Sequence, residues 1–133
     1  MRLATCLFLL ASASSAVFAE APADFLAGYS QEAKHANPRY TAPSAQRGQR
    51  FFTEKHGRDW SCASCHTDTP TASGKHAVTG KVIGPLAPAA NPERFTRASK
   101  VEKWFKRNCN DVLGRACTAG EKGDVLAYLM NLK

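Results

Sequence analysis

Cys62-Ala63-Ser64-Cys65-His66 spells C-x-x-C-H, and this pentapeptide constrains the chain more than any other feature. Two thiols three positions apart can add to the two vinyl groups on one edge of a porphyrin. The histidine next in line then swings under the ring to bind iron. The motif predicts one covalently attached haem c. Two other chemistries use paired cysteines. A thioredoxin-like pair needs a strand before it and a helix after it, and the sequence offers neither. Half of a zinc site needs a second Cys or His pair at ligand spacing, and Cys109 and Cys117 stand too far apart to be one.

Residues 1–19 read as a secretory signal. Arg2 supplies the positive start, Leu3 to Val17 the short apolar run, and Val17-Phe18-Ala19 the small-residue cleavage pattern. Cleavage is expected before Glu20, with a cut after Ala21 as the second choice. The run is too short and too rich in Ala and Ser to span a membrane, and Cys6 lies too early in it to be a lipid anchor. An exported chain with a c-type haem motif belongs in a bacterial periplasm. Of the five cysteines, Cys6 leaves with the signal and Cys62 and Cys65 hold haem. Cys109 and Cys117 remain, either bridged or as two buried thiols, in a compartment that permits the bridge. The net charge of +7 falls after cleavage and with two haem propionates. A moderately basic surface suits an acidic protein partner, whereas export and haem both argue against nucleic acid.

The mature chain is long enough for one domain with one core. Residues 20–43 read as a helical extension and linker, and residues 44–133 as the haem domain. A first helix is predicted over Pro22 to Asn37, with Phe25, Leu26 and Tyr29 on one face and Pro38 as its stop. Ser44 caps a second, carrying Gly48, Phe51 and Phe52 and ending near Gly57. Thr67 to Asn91 lacks periodicity and reads as a long loop around one haem edge. A helical turn runs from Asn91-Pro92 to Phe95. Ser99-Lys100-Val101-Glu102 is a capping box for a helix ending at Leu113-Gly114, and Thr118-Ala119-Gly120-Glu121 opens the last helix. No strand is predicted. The class is all-α.

The second axial position on the iron decides function. Met130 is the fourth residue counted from the end, in step with Leu126, and reads as core packing. His35 sits among polar neighbours. His56 is too close to Cys62 to reach the far haem face. His76, in the long loop, is the histidine rival, although a surface role is the simpler reading. Asn108 is the anomaly. It lies near the centre of a helical stripe of Val101, Trp104, Phe105 and Val112. A buried amide left without a partner costs about 1–3 kcal/mol, and iron, a haem propionate or a backbone carbonyl would each satisfy it.

Several stretches carry a family resemblance: Thr79-Gly80-Lys81-Val82-Ile83-Gly84-Pro85-Leu86-Ala87-Pro88, Arg94-Phe95-Thr96, Val101-Glu102-Lys103-Trp104, Arg107-Asn108-Cys109-Asn110 and Gly120-Glu121-Lys122. With weaker similarity at Tyr29 and from Gly48 to Phe52, the chain resembles the oxygen-binding c-type cytochromes called sphaeroides haem protein, or SHP, and the related cytochrome c″. The resemblance implies a class I-like cytochrome c fold with an extra N-terminal helix and haem in the core. It places the distal asparagine of SHP on Asn108, where cytochrome c″ has a histidine that this chain lacks. It places the family disulfide on Cys109 and Cys117. It also implies electron exchange with dihaem or membrane-associated cytochromes.

The expected function is that of a periplasmic monohaem cytochrome with His66 and Asn108 as axial ligands. Asn108 is expected to leave on reduction and admit O₂, NO or CO. One alternative is an electron carrier whose sixth ligand never leaves. Another is a haem enzyme acting on a small oxygen or nitrogen species, although no acid–base pair near the motif demands it. Lys100, Lys103 and Arg107 are predicted to share one side of their helix, away from Trp104, as a solvated face or a docking patch.

Overall fold

Pro22 opens α1 (Pro22–Ala36), where its fixed φ suits the first turn and its missing N–H leaves no bond unmade. Asp24 turns back to accept the Ala21 N–H at 2.8 Å, and Asn37, extended ahead of Pro38, ends the helix. The computed structural model describes residues 20–57 and 59–133; the predicted signal, residues 1–19, lies outside them.

In α2 (Ala45–Thr53) Ser44 Oγ accepts the Arg47 N–H at 3.3 Å. The helix stops short of Gly57, at Glu54, which is extended; the Thr53 hydroxyl donates back to the Gln49 and Arg50 carbonyls. A single turn, α3 (Ala63–His66), holds most of the C-x-x-C-H motif. The expectation of no strand is corrected by β1 (Gly74–Lys75) and β2 (Val82–Ile83). They pair antiparallel, Gly74 with Ile83 and Lys75 with Val82. Two residues per strand are too few to leave an alternating pattern in the sequence.

Ser99 does not cap α4 (Ala98–Leu113). The cap falls two residues earlier, on Arg97, and the helix's first N–H, that of Ala98, is accepted by the Glu20 carboxylate at 2.8 Å. Gly114 closes the helix at φ 71. Thr118 and Glu121 do form the capping box of α5 (Ala119–Asn131).

The helix α5 is the centre of the fold, with α1 and α2 both packed along it. Phe25, Tyr29, Val101 and Leu126 form one core cluster. Phe52, Val125, Tyr128 and Leu129 form the other, and Phe95 and Phe105 pack against both. Asp124, buried in α5, accepts the Ser44 N–H and both Arg47 Nε and a terminal guanidinium nitrogen, each at 2.7 Å. This pairing fixes the start of α2 to α5. Helix α4 joins α1 and α5 through side chains. Glu102 accepts from Tyr29 Oη and from Lys122 Nζ, and the Tyr29 ring meets Phe105 edge-on at 5.8 Å. Among the described residues no helix is long and apolar enough to cross a membrane.

Candidate haem site

One turn of helix brings Cys62, Cys65 and His66 together. The Cys65 and His66 N–H groups both point back to the Cys62 carbonyl, at 3.3 and 3.1 Å. Thr67 ends the turn at φ 62, a left-handed conformation that costs a β-branched residue about 1–3 kcal/mol. Its N–H is held by the Ala63 carbonyl at 2.8 Å. Cys62 and Cys65 are separate thiols, so the pair is not a closed redox disulfide. Burial pushes the Cys62 thiol up to about 11 and keeps it neutral.

Burial, reinforced by the Arg94 guanidinium, pushes the His66 imidazole down to about 4. The ring therefore stays uncharged and keeps a lone pair for a metal. Phe52 stands 6.3 Å from it, centroid to centroid. Arg94 is itself tied to the Gly84 and Pro85 carbonyls, each at 2.8 Å, and Asn91 donates to Pro85 as well. On the other side, a side chain at Gly74 would collide with the Cys65 carbonyl, and the Ala77 N–H lies 3.3 Å from Cys65 Sγ. Only glycine lets the hairpin press this closely on the motif. Arg94 belongs to a stretch carrying the family resemblance, but no local pattern marks it or Gly74 as neighbours of the motif.

Asn108 is half-buried on α4, one turn beyond Phe105. Phe105 packs against the same cluster as Cys62 and Ala63, so α4 and the motif border one body of core. The buried stripe of α4 is Val101, Cys109 and Val112, and Trp104 departs from the expectation at 47 % exposed. Arg107 stacks over its indole at 5.7 Å. Arg107 therefore accompanies Trp104 and does not lie away from it.

Met130, a rival for the distal position, is not core but 37 % exposed; Leu126 and Leu129 take the fully buried positions of α5. His35 is exposed. His56 stacks on Phe51 at 4.3 Å, with its Nε2 against the Phe51 carbonyl. In His76, Nδ1 accepts the Val78 and Thr79 N–H groups, each at 3.2 Å. That assigns the ring proton to Nε2 and ties the imidazole into its own turn. Cys109 and Cys117 are joined as a disulfide, Cα to Cα 5.6 Å, and so are unavailable to a zinc ion. A cavity of about 360 Å³ between α4 and the start of α5 is lined by Glu102, Lys103, Lys106, Ala116, Cys117 and Lys122, and none of the motif residues reaches it.

Residues 38–129 match the family described as Domain of unknown function (DUF1924). Cytochrome c″ of Methylophilus methylotrophus is 48% identical over 106 residues, 77% of this chain and 74% of that one. Cytochrome c-type protein SHP of Cereibacter sphaeroides is 47% identical over 112 residues, 81% of each. This chain belongs to the cytochrome c″ and SHP family. The fold agrees. The crystal structure of oxidized cytochrome c″ superposes with a TM-score of 0.78 at 44% identity, covering 84% of this chain and 94% of that one. Oxidized SHP, an oxygen-binding cytochrome c, gives 0.71 at 44% identity, covering 82% and 95%.

The family implies covalently bound haem c, and the donor set fits that group. It offers two unbridged thiols in one turn and a neutral buried imidazole beside them.

Proposed function

We propose that this chain is a periplasmic cytochrome with a single haem, whose asparagine ligand leaves on reduction and so opens the site to a diatomic gas. Cys62 and Cys65 would hold the haem by thioethers, His66 would bind the iron on the proximal side and Asn108 on the distal side. Bound haem would supply a redox-active iron, held by His66 and Asn108.

The chain's own groups perform the rest. Burial keeps His66 neutral, so its donor nitrogen is available without losing a proton first. Asn108 offers a hard, weak amide oxygen, which suits ferric better than ferrous iron. On release the same amide has N–H groups to donate to an incoming ligand. Its neighbour Cys109 is bridged to Cys117, which limits how far that end of α4 can travel. Electron exchange with other cytochromes completes the reading.

The observation that carries the proposal is the pairing of an intact C-x-x-C-H turn with an asparagine, not a histidine, at position 108. This occurs in a chain 47% identical to an SHP. Spectra of the dithionite-reduced protein with and without CO test it. A high-spin ferrous spectrum that shifts at once on adding CO is expected. A low-spin ferrous spectrum indifferent to CO would establish a plain electron carrier instead.

A further inference from the structure

The cavity of about 360 Å³ between α4 and the start of α5 opens on a different side of α4 from the motif. Glu102 and Lys106, four residues apart, share one face of the helix. Asn108, two residues on from Lys106, projects from nearly the opposite face. The volume is enough for a small organic molecule.

Three of the lining residues are lysines, and one is a disulfide cysteine. Lys122 Nζ is held 2.7 Å from the Glu102 carboxylate. It lies 5.1 Å over the Tyr29 ring and 5.9 Å over Phe105, which fixes it in place. Glu102, the carboxylate of the lining, is engaged by that lysine and by Tyr29 Oη. Lys103 and Lys106 are exposed, and no ion pair among the described residues uses either of them. The cavity therefore carries two cations to spare.

The two sulfurs of the bridge are not equally open. Cys109 is buried, at 6 % exposed, whereas Cys117 is half-buried and lines the cavity. A thiolate attacks one sulfur of a disulfide and expels the other, so access decides which is struck. Positive charge around the open sulfur concentrates an attacking anion.

We propose that this cavity is a thiol–disulfide exchange site for a small anionic thiol, one that carries carboxylates beside its sulfhydryl. The carboxylates pair with Lys103 and Lys106, and the thiolate attacks Cys117 Sγ. A new S–S bond forms there and the bond to Cys109 breaks. Cys109 Sγ leaves with the electron pair and takes a proton from water. A second thiolate attacks the sulfur of the first thiol and releases Cys117, which is protonated in turn. The bridge is reduced by two electrons, and two thiols are oxidised to one disulfide. The bridge so opened is the one that limits the travel of α4 beside Asn108. Neither the cavity nor the bridge depends on the haem reading.

Glutathione and its diethyl ester, the same thiol with its carboxylates masked, test this on the folded holoprotein under anaerobic conditions. At equal thiolate concentration and low salt, glutathione should open the bridge about tenfold faster or more, read by mass after alkylation. The preference should shrink as salt rises, and the trapped mixed disulfide should map to Cys117. Lys103→Gln with Lys106→Gln should bring the two rates to within about twofold and leave the ester rate unchanged. The same charge change at Lys75 and Lys81, on the hairpin, should keep the wild-type preference. Equal rates for both thiols in the wild type, or a mixed disulfide at Cys109, overturn the assignment. So does a preference that survives the Lys103 and Lys106 changes, or one lost equally in the hairpin variant. A bridge that opens only after urea has unfolded the chain overturns it as well.

Discussion

Gly48 of α2 lies directly on the backbone carbonyl of Asp124 in α5. A Cβ there would also meet Tyr128 Cβ at 3.0 Å, and neither helix backbone can yield without disturbing the other. The same Asp124 holds the Ser44 amide and the Arg47 guanidinium, so the crossing is fixed by close approach and by charge together. Phe52 and Leu129, both fully buried, seal it one turn on.

Gly48→Ala should therefore destabilise the fold, although alanine is the better helix former. The helix-propensity gain is about 1 kcal/mol, and forcing apart two packed backbones costs about 1–3 kcal/mol or more. A net loss of stability in urea unfolding is expected. A stabilised Gly48→Ala would mean that α2 and α5 do not cross at this contact.

Glu102 couples three helices, and its titration has a definite sign. Partial burial alone would raise its carboxyl, but the hydrogen bonds from Lys122 and Tyr29 hold it below its usual value. A carboxyl depressed in the folded state adds stability above its unfolded pKa and loses it as pH falls through the folded one. Its side chain is 50% exposed, so solvent screening limits the contribution to about 1 kcal/mol. Melting curves of wild type and Glu102→Gln should differ near neutrality and converge below the carboxylate range. A gap independent of pH would show that the carboxylate charge does not act there.

The bridge between Cys109 and Cys117 closes a separation of 8 residues. A loop so short is worth about 2–3 kcal/mol in the chain-entropy account. Replacing both cysteines with alanine should lower the unfolding free energy by about that amount. Thiol titration of the unfolded, unreduced holoprotein should find no free cysteine, and two titrating thiols refute the bridge.

How far the fold and the site are legible in the sequence depends on the range of each interaction. Ser44, Gly114 and Thr118 mark helix ends by bonds three or four residues long, and all three stand where the sequence places them. The Ser99 box fails because α4 finds its acceptor in Glu20, 78 residues away. The hairpin is silent because its ladder is two residues long and its fixing contact, Gly74 on Cys65, is tertiary. Trp104 and Met130 depart from expectation for one reason. Periodicity gives the faces of a helix but not which flank its neighbours cover. The C-x-x-C-H turn is readable because the haem motif is local. Arg94 is not, because its proximity to His66 exists only once residues 84–94 have folded back.

If Asn108 holds ferric iron through its amide oxygen, as proposed, that is a hard-donor bond, which adding an electron to the metal would weaken. With the His66 nitrogen retained, as proposed, the reduced protein should be five-coordinate and take up CO without a slow displacement step. Asn108→Val removes the donor while keeping a compact side chain on α4. Its ferric spectrum should turn high-spin or water-ligated, with ferrous CO binding preserved. Asn108→His supplies a stronger nitrogen donor at the same place and should give low-spin ferric iron. His76→Ala and Met130→Leu should leave the ferric spectrum as it is, since the His76 ring is tied to its own turn and Met130 lies on the exposed side of α5. If Asn108→Val leaves the ferric spectrum unchanged while either of those two alters it, the distal ligand is not Asn108.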